Sequence, residues 1–330
     1  MGTARFWHRG LAHMKKLCDV FAKNFSHLST YLRVFWLTGI ACTLIPMLVG
    51  WTLMRYDNSF LCEYKVLLDY KSSFTNENYD VIFFGDSSCL MGVSPKIIEK
   101  ETGLKVLNLG TYGGTGIIGY EAILRSYLKS NNPPKLIIYY ISPSIPNMYC
   151  VKTFEQIFSY IKLASIDLFI ENLGEYNPLQ IPSALITYLT DKITPTTTKE
   201  QLKQLYMELE EFKGFQNKEN NTGKMKETEK INSRYKYGDY FNTPHDPRKK
   251  IMKLVSHFKS DKTDVIIYLA PMPETEEAFN YFKETYQGII SNKPYTLKNE
   301  NFSDYTHLNY QGAMINSKKV ASFLKEILNL

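Results

Sequence analysis

Asp80-Val-Ile-Phe-Phe-Gly-Asp-Ser-Ser88 decides the fold. Its four uninterrupted apolar residues, closed by Gly85, predict a short strand buried on both faces. Three further segments read alike: Lys105-Val-Leu-Asn-Leu-Gly110, Lys135-Leu-Ile-Ile-Tyr-Tyr-Ile141 and Asp264-Val-Ile-Ile-Tyr-Leu269. Helical patterns separate them, over Pro95 to Thr102, over Ile117 to Leu128, and around Ile251, Leu254, Val255 and Phe258. A last helix, Gln311 to Leu330, aligns Val320, Phe323, Leu324 and Ile327 on one face. Strand and helix in alternation predict an α/β fold, a parallel sheet sandwiched between helical layers.

This core is interrupted. Residues 150–248 form an insertion with helix-like stretches near 152–172, 178–192 and 198–213, then a polar run from Gln216 to Tyr235. The polar run buries too little apolar surface to be a packed element and is expected to be a loop. The insertion as a whole is expected to be a cap or partner-binding subdomain at one edge of the sheet.

Upstream, Val34 to Met54 is 21 residues without a charged side chain, bracketed by Trp36 and Trp51. As a helix it would be roughly 31 Å long, about the thickness of a bilayer's hydrocarbon core. The net charge of +6 is concentrated before it. Arg5, Arg9, Lys15, Lys16, Lys23 and Arg33 against Asp19 leave only +1 for everything after residue 33. The expected organisation is a basic cytoplasmic segment (1–33), a transmembrane anchor (34–54) and an extracytoplasmic domain (55–330). Leu11, Met14, Cys18, Phe21, Phe25 and Leu28 form one apolar stripe in the first segment, suited to the inner leaflet or to a membrane partner. With the basic excess confined there, nucleic acid is not an expected partner.

Gly85-Asp86-Ser87-Ser88 places serines at the carboxyl end of a strand, where ligands bind in open parallel sheets. Far downstream, Asp304-Tyr305-Thr306-His307-Leu308-Asn309 puts a carboxylate three residues before an imidazole, able to orient it as a base for a serine. His245 and His257 lack such a neighbour. Five cysteines show neither CxxC nor metal-ligand spacing, so no metal and no disulfide framework is expected. Gly113-Gly114-Thr115-Gly116 lacks the Lys-Ser/Thr of a phosphate loop, and no cofactor is expected. Tyr112, Tyr139, Tyr140, Tyr305 and Tyr310 lie near the strand ends or the Asp–His motif, as core packing or as sugar-stacking rings.

Gly-Asp-Ser-Ser after the first strand, Asn108-Leu109-Gly110 ending the second and Asp-x-x-His-Leu-Asn before the last helix together resemble the SGNH (GDSL-type) hydrolase superfamily. The likeness covers residues 80–145 and 250–330. With the anchor and insertion, the chain looks most similar to the membrane-tethered branch that serves teichoic-acid D-alanylation and alginate acetylation. The resemblance implies Ser87 as nucleophile, His307 as base and Asp304 as its orienter, with the Ser87 and Gly110 backbone N–H groups in the oxyanion hole. Soluble members complete that hole with an Asn in a G-x-N-D block. Here the position reads Ile141-Ser-Pro-Ser-Ile-Pro-Asn147, so Ser142, Ser144 or Asn147 substitutes, or the hole has fewer donors. One missing donor costs about two to three orders of magnitude in rate.

The implied function is transfer of an acyl group, through a Ser87 ester, to a cell-envelope glycan. A multi-spanning membrane acyltransferase is the expected donor partner. The same residues would serve an esterase acting on such glycans, and a silent assembly scaffold is the third reading.

Overall fold

The computed structural model describes residues 30–42, 62–142, 199–217, 221, 247–274, 283 and 286–330. The chain divides into two units, Met1–Leu53 and Met54–Leu330. In the first, residues 30–42 are helical and expose Tyr31, Val34, Phe35, Trp36 and Leu37. Among the described residues no helix is long and apolar enough to cross a membrane. Residues 43–54 of the expected anchor lie outside the described residues, as does the amphipathic stripe of 11–28.

The second unit is an α/β fold on a four-stranded parallel sheet. Its elements are α1 (Cys62–Ser72), β1 (Val81–Gly85), α2 (Ser87–Gly92), α3 (Pro95–Thr102), β2 (Val106–Asn108) and α4 (Gly116–Ser130). They continue with β3 (Leu136–Ile141), α5 (Lys199–Glu211), α6 (Pro247–Phe258), β4 (Asp264–Leu269) and the short β5 (Met272–Pro273) and β6 (Thr296–Leu297). α7 (Tyr310–Leu328) ends the series. The sheet order is β2-β1-β3-β4, in register from Val81 opposite Val106 and Leu136, and Leu136 opposite Asp264. β1 and β3 are buried along their whole length, which is why their sequences are continuously apolar.

Alternate strand residues serve opposite faces. Val81, Phe83, Ile138 and Tyr140 pack with Ile98 of α3 and Val320, Ala321 and Leu324 of α7. On the other face Phe84 stacks on Tyr139 at 4.7 Å, and Tyr120 of α4 reaches the same ring. Tyr139 and Tyr140 are fully buried and belong to the core, leaving Tyr305 as the most exposed of the five candidate rings among the described residues.

The sequence-based strands and the helices α3, α4, α6 and α7 lie where expected, within a few residues at their ends. α1 and the β5–β6 pair are additions. α5 matches the helix expected near 198–213, whereas the stretches near 152–172 and 178–192 and most of the run 216–235 lie outside the described residues. α5 is part of the sheet domain's own packing: Leu205 and Leu209 join Leu67, Tyr70 and Leu90 in one cluster.

Candidate active site

The site begins where β1 stops. Gly85 has φ +151°, and a Cβ there would stand 2.1 Å from the Tyr140 carbonyl oxygen, so only glycine lets the chain leave the sheet at this point. Asp86 then caps α2: its Oδ1 accepts the Ser88 N–H at 2.8 Å and the Ser88 hydroxyl at 2.5 Å. Ser87 is the first residue of that helix, and Ser88 is buried behind it. The two serines are thereby distinguished: one faces the cap, the other the site.

Ser87 Oγ lies 2.7 Å from His307 Nε2, across 220 residues of sequence. His307 Nδ1 lies 2.8 Å from Asp304 Oδ2. The other Asp304 oxygen accepts the backbone N–H groups of Thr306 and His307, both at 2.8 Å, which folds the turn and aims the carboxylate at the ring. Ser303 closes the turn, donating from its backbone N to the His307 carbonyl at 2.9 Å. Asn309 then caps α7, accepting the Gly312 N–H at 2.9 Å. From α7, Asn316 donates to the Gly92 carbonyl at 2.6 Å and the Ser317 hydroxyl accepts the Ser94 N–H at 2.8 Å, tying the helix behind the imidazole to the one behind the serine.

Charge sets the tautomer. Burial presses the Asp304 carboxyl upward, but bonds and charge from His307, with two backbone N–H groups, outweigh it and hold it below the ordinary carboxylate value. An ionised Asp304 requires the proton on Nδ1, leaving the Nε2 lone pair for the Ser87 hydroxyl. Burial presses His307 downward, yet the Asp304 bond and charge, with the Asp86 charge behind, lift it above its ordinary value. Burial raises Asp86 itself, whose buried Oδ2 has no hydrogen-bond partner among the described residues.

The backbone N–H of Gly110, expected as an oxyanion donor, is engaged within the protein. The Gly110 N–H is donated to Asn108 Oδ1 at 2.7 Å. The Asn108 amide is drawn beneath the loop because its Nδ2 donates to the Cys89 and Val93 carbonyls, each at 2.8 Å, leaving Oδ1 facing Gly110. The Ser87 N–H has no hydrogen-bond partner among the described residues, because Asp86 takes the next three N–H groups of α2. Ser142 is buried just after β3, whereas Ser144 and Asn147 lie outside the described residues. The structure thus brings Ser87, His307 and Asp304 together, and of the two backbone N–H groups named as oxyanion donors it leaves that of Ser87 open among the described residues and engages that of Gly110.

Sequence reasoning missed Lys71. It is fully buried, and its Nζ donates to the carbonyl oxygens of Asn108 and, at 2.8 Å, Gly214. Burial pulls its pKa down to about 7. A lysine within Asp69-Tyr-Lys-Ser-Ser73 carries no local sign of burial. Among the described residues no group of His, Cys, Asp and Glu is arranged to hold a metal ion.

No family model matches the sequence, and no curated protein matches it. A solved structure described as "a putative platelet activating factor from Streptococcus pneumonia" is similar at 16% identity, with a TM-score of 0.32. The match covers 87% of this chain and 99% of that one. A likeness this distant carries no functional argument, which therefore rests on the site itself.

Proposed function

We propose that the chain is a membrane-anchored serine acyl-transfer enzyme of the SGNH type, with a three-layer sandwich fold. One observation carries the reading: the continuous chain from Ser87 Oγ through His307 to Asp304, at 2.7 and 2.8 Å. Ser87 Oγ attacks an acyl carbonyl carbon while its proton passes to His307 Nε2. The tetrahedral oxyanion is met by the Ser87 N–H. Collapse expels the leaving group with the proton from Nε2 and leaves an ester on Ser87. An incoming hydroxyl then attacks the ester as its proton passes to Nε2, and collapse breaks the bond to Ser87 Oγ, which takes that proton back from Nε2. In this reading the acceptor is a hydroxyl of a cell-envelope glycan, and a multi-spanning membrane acyltransferase delivers the acyl group.

The runner-up is an esterase acting on the same glycans. It is favoured by the 28% exposure of the His307 side chain, which lets water reach the base. The experiment separating them gives the full-length protein in detergent an activated acetyl ester and a soluble glycan oligomer. The Ser87 peptide is expected to gain one acetyl group after acid quench, and the ester to partition mainly into acetylated oligomer. Release mainly as acetate would favour the esterase. A folded chain with no adduct on Ser87 would overturn both and leave the scaffold.

The anchor rests on the uncharged run 34–54 and the basic excess before it. Protease added outside intact cells, with any outer barrier permeabilised, is expected to digest residues 55–330. Protection of that domain until the inner membrane is lysed would reverse the orientation.

A further inference from the structure

Residues 213–217 and Asn221 touch the end of β2, the nucleophile's helix α2 and the chain that follows His307. The Lys213 carbonyl accepts the Asn108 N–H at 3.1 Å, and its ammonium grips both carboxylate oxygens of Glu99 at 2.6 Å. The Gly214 carbonyl accepts from Lys71. Gln216 donates its backbone N–H to the Leu90 carbonyl, inside the nucleophile helix, at 3.0 Å. Phe215 packs with Leu308, Phe302 and Ala313, around the His307 loop. Beyond, the Asn221 carbonyl accepts the Tyr310 N–H at 3.0 Å.

The centre of this strap is Asn217, only 9% exposed. Its Nδ2 donates to the Met91 carbonyl at 2.9 Å and to the Leu308 carbonyl at 3.1 Å. Its Oδ1 accepts from Asn221 Nδ2 at 2.9 Å. Met91 lies about one helical turn after Ser87, and Leu308 directly follows His307. A single amide group therefore spans from the nucleophile's helix to the base's loop.

We propose that Asn217 is a positioning residue that sets the separation of Ser87 and His307, and that through it the insertion is mechanically part of the catalytic site. The proposal rests on the acyl-transfer reading above. An amide donating both hydrogens to fixed carbonyls restrains them in distance and in direction. Catalytic groups tolerate displacements of about half an ångström, and a shift of about 1 Å costs on the order of 100-fold in rate. α7 supplies a second tie, through Asn316 to Gly92 at the end of α2 and through Ser317 to Ser94 just beyond it. Asn217 alone of the two ties holds the residue that directly follows His307.

The test compares Asn217→Ala with Asn131→Ala in the full-length protein. Asn131 is another amide with three protein bonds, to the Phe74 and Tyr127 carbonyls and the Glu77 N–H, remote from the triad. The readout is the rate of labelling by a fluorophosphonate, in which Ser87 Oγ bonds to phosphorus and fluoride leaves. Asn217→Ala is expected to label about 10- to 100-fold more slowly, with Asn131→Ala within about twofold of wild type despite a similar loss of bonds. Equal rates for wild type and Asn217→Ala, or equal slowing in both variants, would overturn the proposal. If Asn217→Ala does not fold, Asn221→Ala removes one supporting bond and is expected to slow labelling about threefold; an unchanged rate would overturn it equally. A folded wild type that resists labelling would sink the acyl-transfer reading instead. Amide hydrogen exchange then decides the strap alone: faster exchange across residues 307–310 in Asn217→Ala supports it, and unchanged exchange overturns it.

Discussion

Ser87→Ala is expected to abolish the acyl-enzyme and reduce acyl transfer by about four orders of magnitude or more, with the fold intact. One hydroxyl oxygen, bonded to one imidazole nitrogen, carries little packing. His307→Ala should lose as much, because without Nε2 no base receives the serine proton. The double variant should be little worse than either single one, since the three residues act as a unit. Asp304→Asn is the more informative change. Its amide would donate to Nδ1, placing the ring proton on Nε2, where it faces the Ser87 hydroxyl and cannot accept, at a cost of about 10⁴-fold. Wild-type activity should rise with pH through a His307 pKa above the ordinary 6.5, since only the neutral ring is a base. Asp304→Asn removes the main lifting partner while burial remains, so the residual limb should move to lower pH. A limb that stays in place would mean Asp304 does not set that pKa. Ser88→Ala should retain the acyl-enzyme but lose some stability, because the Ser88 hydroxyl bonds Asp86 at 2.5 Å.

A pH-dependent stability difference is the second large effect expected, from Lys71→Met. Burial lowers Lys71 from 10.5 to about 7, so between those values the unfolded chain holds a proton that the folded chain lacks. Folded stability should therefore rise with pH across this window by up to about 1.4 kcal/mol per pH unit, or about 5 kcal/mol in total. The neutral amine keeps two N–H donors for the two carbonyls it meets, so losing the proton sacrifices neither bond. Methionine carries no proton to exchange. The stability of Lys71→Met relative to wild type should fall steadily from about pH 7.5 to about pH 10, measured by urea unfolding in detergent. Other titrating groups cancel in that difference. A difference independent of pH would show that Lys71 stays charged in the folded chain.

Much of this was legible in the linear chain. Val81–Phe84 and Leu136–Ile141 announce doubly buried strands because a strand covered on both faces has no polar positions. Pro95 and Gly103 bracket α3 because proline suits a helix's first turn and glycine takes the left-handed C-cap, here at φ 73°. Asp304 and His307 could be paired on spacing alone, since a carboxylate that accepts the next backbone N–H groups is held where the ring arrives.

What failed to show was long-range. Gly110 was legible as the end of the Asn108-Leu109-Gly110 motif, but the direction of its N–H was set by Asn108, whose amide is pulled under by α2. Likewise the polar tract beginning at Gln216 reads as solvent-facing because Asn and Gln usually are, whereas Gln216 and Asn217 lie against α2 and the His307 loop.

The sequence by itself determined the strand order in time, the residue types at the strand ends and the chemistry those types can do, because apolar runs, caps and turn residues act over a few positions. Only the tertiary structure decided how closely Ser87 meets the imidazole, where the Gly110 N–H points, and that Lys71 and Asn217 sit behind the site. Most of these depend on hydrogen bonds whose partners are far apart in the chain: 220 residues for Ser87 and His307, 143 for Lys71 and Gly214, 126 for Asn217 and Met91. A local pattern cannot encode a bond whose other half is brought to it only by the packing of the whole sheet.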